Sequence, residues 1–282
     1  MRNFVEKAGR AVVLGLLFFG LRLLQLRSGF DPEPGRARPS AAGTALAACL
    51  AAAAALEALL ALRLSKEKMP FRRRFAPVGG MKMALVMGAM LLIAGSALMA
   101  ACAVIGSGIA LGAAGLLGAT AGVGVLLFTQ QTGRRVDLSV MPLLPAMFFA
   151  VFLVLAEYLP EADNPVLAGY YIPVLAAAMT AYAFSQLAGC VQGESSPRWF
   201  TPIAELAAAL CIAAAADGLA SFSGGLWGIS KVLVYAGCAL TLLAFLALQR
   251  RERELPPEEA ETREMEDEAV STAEPMEKGD EA

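Results

Sequence analysis

The sequence predicts an all-α fold, a polytopic membrane bundle of about eight transmembrane helices. Three observations carry that expectation. Of 282 residues, 57% are hydrophobic and 17% are charged, where a soluble domain runs near half and a quarter. The mean hydropathy is +0.60, and the apolar residues gather into eight stretches of membrane-crossing length. No stretch alternates with period 2, which excludes a β-barrel. Histidine is absent altogether, so the commonest zinc, haem and di-iron ligand sets cannot be assembled. Neither metal nor cofactor is expected, and a water-soluble enzyme or an imidazole mechanism is excluded.

A helix needs about 20 mostly apolar residues to cross a ~30 Å hydrocarbon layer. The stretches that qualify are 11–29, 41–63, 83–105, 107–128, 141–160, 169–189, 203–220 and 226–248. The first is the weakest, because Arg22 at mid-helix costs roughly 3 kcal/mol against about 3 to 6 kcal/mol returned by its apolar residues. Arg2, Lys7 and Arg10 precede it, yet Arg22 breaks the apolar run and no A-x-A-like site follows closely. It reads as a retained signal anchor rather than a cleaved signal. The fourth stretch holds Gly108-x-x-x-Gly112 and Gly118-x-x-x-Gly122, with Gly115 and Gly124 nearby. Small residues at that spacing allow close helix approach, within the bundle or across a homodimer seam. Thr180, Ser185 and Gln186 in the sixth are expected to bond backbone or neighbouring helices. Glu205 opens the seventh just after Pro202, where a carboxylate suits a helix N-terminus. The five cysteines, Cys49, Cys102, Cys190, Cys211 and Cys238, lie in or beside apolar stretches without C-x-x-C spacing. They read as small hydrophobes.

The formal net charge of −2 conceals a partition. Residues 1–253, the transmembrane bundle, carry 21 Lys+Arg against 13 Asp+Glu, while residues 254–282 carry 2 against 12. With the N-terminus inside, 16 Lys/Arg fall in cytoplasmic segments and only Arg27, Arg36 and Arg38 fall outside. That asymmetry predicts that both termini are cytoplasmic. Tyr158, Tyr170, Tyr171 and Trp227 then mark the outer boundary, and Phe71, Phe75, Trp199 and Phe200 the inner one, as anchoring belts. The loop 63–82, with Arg72, Arg73 and Arg74 at its centre, would lie on anionic lipid headgroups at ~1 kcal/mol per basic residue. The acidic tail 254–282 is expected to be disordered. It serves as a solvated spacer, folds back on the basic loop or binds a basic protein partner. No nucleic-acid partner is implied.

Ionisable residues inside spans are where function is sought, because an unpaired charge there is costly. Arg22, Glu57, Asp217 and Lys231 are the intramembrane charged candidates for binding; no catalytic residue is nominated. Asp217 and Lys231 are each seven positions from Gly224, in the turn between the last two spans. An antiparallel hairpin would bring them to one depth, as a salt bridge holding the hairpin or as part of an ion or proton relay. Glu57 lies six residues before Arg63. It could be met by an arginine reaching down, be protonated, or snorkel to the basic loop.

Two short echoes suggest a 4+4 parallel repeat. Arg73-x-Phe75-x-Pro77 recurs as Arg198-x-Phe200-x-Pro202, and Pro32-Glu33 as Pro160-Glu161. A parallel repeat of that kind occurs in some transporters; the alternative is that Arg, Phe and Pro are common at membrane-edge turns. The run Leu21-Arg22-Leu23-Leu24-Gln25-Leu26-Arg27-Ser28-Gly29-Phe30-Asp31-Pro32-Glu33 resembles the start of a group of uncharacterised bacterial multi-pass membrane proteins. In that group an Arg-Leu-x-Gln-Leu run leads into a Gly-[Phe/Tyr]-Asp-Pro-Glu-x-Gly turn. The resemblance covers about 15 residues and implies a bacterial membrane location, with no activity attached. Two functions are therefore expected in order: a non-enzymatic scaffolding, sensing or assembly protein, then a small-solute or ion permease with Asp217, Lys231 and Glu57 lining a midplane path.

Overall fold

The computed structural model describes residues 8–28, 40–64, 66, 75, 81–107, 109–130, 141–159, 171–220 and 225–249. Among the described residues there are eight helical segments: α1 (Gly9–Ser28), α2 (Ala41–Arg63), α3 (Lys82–Cys102), α4 (Ile109–Gln130), α5 (Leu143–Phe152), α6 (Tyr171–Val191), α7 (Pro197–Ala220) and α8 (Leu226–Leu248). Two of them open into wider π turns at their ends, α3 over Ala103–Ser107 and α5 over Leu153–Tyr158. Seven helices are long and apolar enough to cross a membrane, and the chain is a multi-pass helical bundle. The stretch expected as a full fifth span is shorter, Leu143–Tyr158. Pro142 stands just before this helix and Pro145 in its first turn, where a proline costs no helical hydrogen bond.

Neighbour relations form a ring. Helices α7, α8, α3, α4, α5 and α6 each pack on the next, and α6 returns to α7. Helices α1 and α2 pack against each other and against the other side of α7. Helix α7 can serve as this hub because its wall is alanine: Ala204, Ala207, Ala208, Ala209, Ala213, Ala214 and Ala216 are all fully buried. Lipid supplies no hydrophobic drive between helices, so close backbone approach has to hold them together. The centre of the ring is aromatic. Helix α5 turns Phe148, Phe149 and Phe152 inward, and Phe152 meets Tyr235 of α8 edge-on at 5.8 Å between centroids.

The glycines of α4 lie within this bundle. A Cβ on Gly115 or Gly122 would strike the backbone of α3, and one on Gly124 would strike Leu144 of α5. The halves of the chain are not packed alike, however. Helix α6 packs on α7, but among the described residues α2 has no comparable contact with α3, and α1–α7 has no counterpart in α5–α3. The packing therefore gives the 4+4 correspondence no counterpart.

The inner aromatic belt requires correction. Trp199 is exposed, but Phe75 and Phe200 are buried, stacked edge-on at 5.6 Å with Phe245 and Phe128 beyond them. Residue 75 folds back into the mouth of the bundle and forms an isolated β-bridge with Gln249. Gln249 in turn exchanges hydrogen bonds with Thr201. A phenyl ring buries more apolar area between helices than at a headgroup boundary. At the other end Tyr158 is exposed, while Tyr171 lies beneath the Arg22 guanidinium at 5.6 Å. Phe71, Tyr170, Arg72, Arg73, Arg74 and the tail 254–282 lie outside the described residues.

Candidate functional site

The four nominated charges are all in the bundle, in two layers. The layer toward the C-terminal end of α1 is built from Arg22, Asp217, Lys231 and a residue not nominated, Glu157. Arg22 is fully buried. Its Nη2 donates to Asp217 Oδ1 at 2.6 Å, its Nε donates to Oδ2 at 3.1 Å, and its Nη1 donates to Gln25 Oε1 at 2.7 Å. The fork of the guanidinium thus grips a carboxylate bidentately, the strongest geometry such a pair has. Lys231 donates to Glu157 Oε2 at 2.9 Å, and Tyr235 gives its hydroxyl proton to Glu157 Oε1 or to the Pro173 carbonyl, each at 3.1 Å. The Lys231 ammonium also stands 5.2 Å over the Trp227 ring.

The expected Asp217–Lys231 salt bridge is therefore corrected. The two do share a depth, as the hairpin geometry required, and are near enough to act on each other electrostatically. But each has a better partner on another helix. Arg22 comes from α1, which lies against α7 and presents five donors in a plane that one ammonium cannot match. Lys231 is released to Glu157, which the π turn at the end of α5 rotates toward α8. Wide turns of this type re-aim side chains where a helix must serve a site.

The second layer lies toward the start of α1. Arg10 Nη2 donates to Glu205 Oε1 at 2.7 Å, so Glu205 is an ion-pair partner of α1. The expected helix N-terminus at Glu205 is corrected, because α7 begins at Pro197 and Glu205 lies in its third turn, beyond the reach of the helix end. Glu57 of α2 comes within hydrogen-bonding reach of Glu205. Glu57 does not snorkel to the loop, since it is only 4% exposed. The arginine that reaches this layer is Arg10, and it goes to Glu205. Glu57 Oε1 and Glu205 Oε2 are buried and have no hydrogen-bond partner.

Both arginine pairs span 195 positions, Arg10 to Glu205 and Arg22 to Asp217. An equal offset at two points means that α1 and α7 run parallel and in register. The layers are twelve residues apart, about 18 Å along the helix axis at 1.5 Å per residue. Between them the α1–α7 seam is dry: a Cβ on Gly15 would lie 2.6 Å from Ile212 Cδ1 and 3.2 Å from Ala209 Cα. Glu57 consequently does not gather with Asp217 and Lys231 around one midplane path. The small cavity near Gly124, Phe128, Pro145, Phe184 and Phe245 has apolar walls.

Other polar side chains in the spans tie helices together. Thr180 meets Cys211 of α7 at 3.0 Å and Ser230 donates to the Gly95 carbonyl of α3 at 2.8 Å, while Gln186 accepts from Ser195 in the turn that follows its own helix. Arg10, Glu157, Gln25 and Tyr235 escaped the reading of the sequence. Glu157 carried the same signal as the nominated four, an ionisable residue inside an apolar stretch. Arg10 did not, because a basic residue ahead of the first span is what topology alone demands. No family model, no curated protein and no solved structure matches this chain.

Proposed function

We propose that this is a non-enzymatic protein of the bacterial cytoplasmic membrane, with both termini on the cytoplasmic side, that acts by scaffolding, sensing or assembly rather than by passing a solute. The observation that carries the reading is that Arg22 and Lys231 are each tied to an acid of another helix, at 2.6 and 2.9 Å. Charges committed to one another hold helices in place and leave little for a substrate. The dry Gly15 contact between the two layers supports the same view. Anionic headgroups at the cytoplasmic face, met by the loop around Arg72, Arg73 and Arg74, are the natural lipid partner, and a basic protein is the natural partner of the acidic tail.

The permease reading keeps one observation in its favour, the unpartnered oxygens of Glu57 and Glu205. The two readings separate in proteoliposomes carrying imposed proton, sodium or potassium gradients and an internal fluorescent reporter. The expected result is leakage equal to that of empty liposomes. A gradient-driven flux that disappears in Lys231→Met would sink the scaffold and install the permease.

A further inference from the structure

The charges held within the helices do not balance. Arg10, Arg22 and Lys231 face four acids, Glu57, Glu157, Glu205 and Asp217. Three of those acids have a cation at 2.6 to 2.9 Å. Glu57 has none, although it is 4% exposed and Glu205 beside it is fully buried. Two ionised carboxylates are acceptors only, so neither can donate to the other. That is why Glu57 Oε1 and Glu205 Oε2 are left without partners while the two carboxyls stand within hydrogen-bonding reach. One proton between them would convert an acceptor–acceptor contact into an O–H···O bond and bring the buried charge to zero.

From this geometry we infer that Glu57 and Glu205 form a buried proton-binding site, one proton shared by two carboxyls with Arg10 on the outer edge. Among the described residues the groups facing it are few. Helix α1 contributes Arg10, whose side chain is 41% exposed and gives the site its contact with water. Helix α2 contributes Glu57, with Arg63 exposed at its end. On α7 the other charged residues, Arg198 and Asp217, lie toward the two ends. Helix α6 has no charged residue, and Lys231, the charged residue of α8, lies in the other layer. A metal cation is disfavoured because the Arg10 guanidinium already occupies one side. The site has a mechanical consequence. Helix α2 is the least buried of the candidate spans and packs mainly on α1 and α7, so it is the element that loss of the proton would push away. The inference does not depend on whether a solute crosses the protein.

Infrared spectroscopy on the full-length protein in nanodiscs tests it through the C=O stretch of a protonated carboxyl. At neutral pH the wild type should show this band. Glu57→Gln should abolish it, because Glu205 left alone is ionised by Arg10 at 2.7 Å. Absence of the band in the wild type would overturn the site, and that measurement needs no variant to fold. Survival of the band in well-folded Glu57→Gln would overturn the sharing. Loss of the band on replacing choline by sodium at constant pH would show a cation site in its place.

Discussion

Arg22 is the residue on which the bundle's electrostatics turn. At mid-helix an arginine costs roughly 3 kcal/mol on the insertion scale, and here its side chain is fully buried. The cost is tolerable because Asp217 takes two of its donors and Gln25 a third. Removing one partner of a buried pair is far worse than removing both. Asp217→Ala should therefore destabilise the protein by about 3 kcal/mol or more, while the double replacement Arg22→Met, Asp217→Leu should recover most of that loss. Unfolding in detergent, followed by helical signal, measures both. Lys231→Met should strand Glu157 rather than Asp217. A double-mutant cycle is expected to find a coupling of about 1 to 2 kcal/mol for Lys231 with Glu157, and a larger coupling to Asp217 would contradict the pairing described. The presence of these residues was legible in the sequence, since an ionisable side chain stands out in an apolar run. Their partners were not, because partners 195 residues apart are fixed only by which helices are neighbours.

Among the helices, close approach is set by glycines whose roles the sequence does not distinguish. Gly95 of α3 faces the backbone of α8, where an added Cβ would lie 2.8 Å from Val234 N and 2.9 Å from the Ser230 carbonyl oxygen. Gly20 of α1 has nothing within 4 Å of that position. Both are glycines inside apolar helices. Gly95→Ala should cost about 1 to 3 kcal/mol by forcing α3 and α8 apart, whereas Gly20→Ala should be neutral or gain up to about 1 kcal/mol from helix propensity. Thermal unfolding of the two variants side by side checks the contrast, and equal losses would refute it. The glycine pattern of α4 could be read ahead because four-residue spacing marks one helix face. In the α3–α8 seam, made by Gly88, Gly95 and Gly237, the seven-residue spacing of Gly88 and Gly95 also marks one face of α3, but that α8 is what meets it becomes visible only when both helices are in place.

For the whole molecule, the parallel register of α1 with α7 agrees with a chain that crosses alternately and returns its eighth helix to the side where the first begins. The lysine and arginine distribution adds a sign to that alternation. In a cysteine-free background, cysteines placed at Arg63 and Arg198 should react with a membrane-impermeant thiol reagent only from the cytoplasmic side. Cysteines at Ser28 and Leu219 should react only from outside. The reverse pattern would overturn the orientation while leaving the bundle intact.

Length and hydropathy by themselves determined that this chain is a multi-pass helical bundle and roughly where most of its helices lie. These are one-dimensional properties, since a bilayer tests each segment for apolar length before any helix meets another. Only the tertiary structure decided that Asp217 belongs to Arg22, that Lys231 belongs to Glu157, and that Glu57 and Glu205 are buried together with Arg10 paired to Glu205 alone. Pairing is a property of neighbours in space. In a medium without water, each buried charge takes the partner whose geometry satisfies the most of its hydrogen bonds.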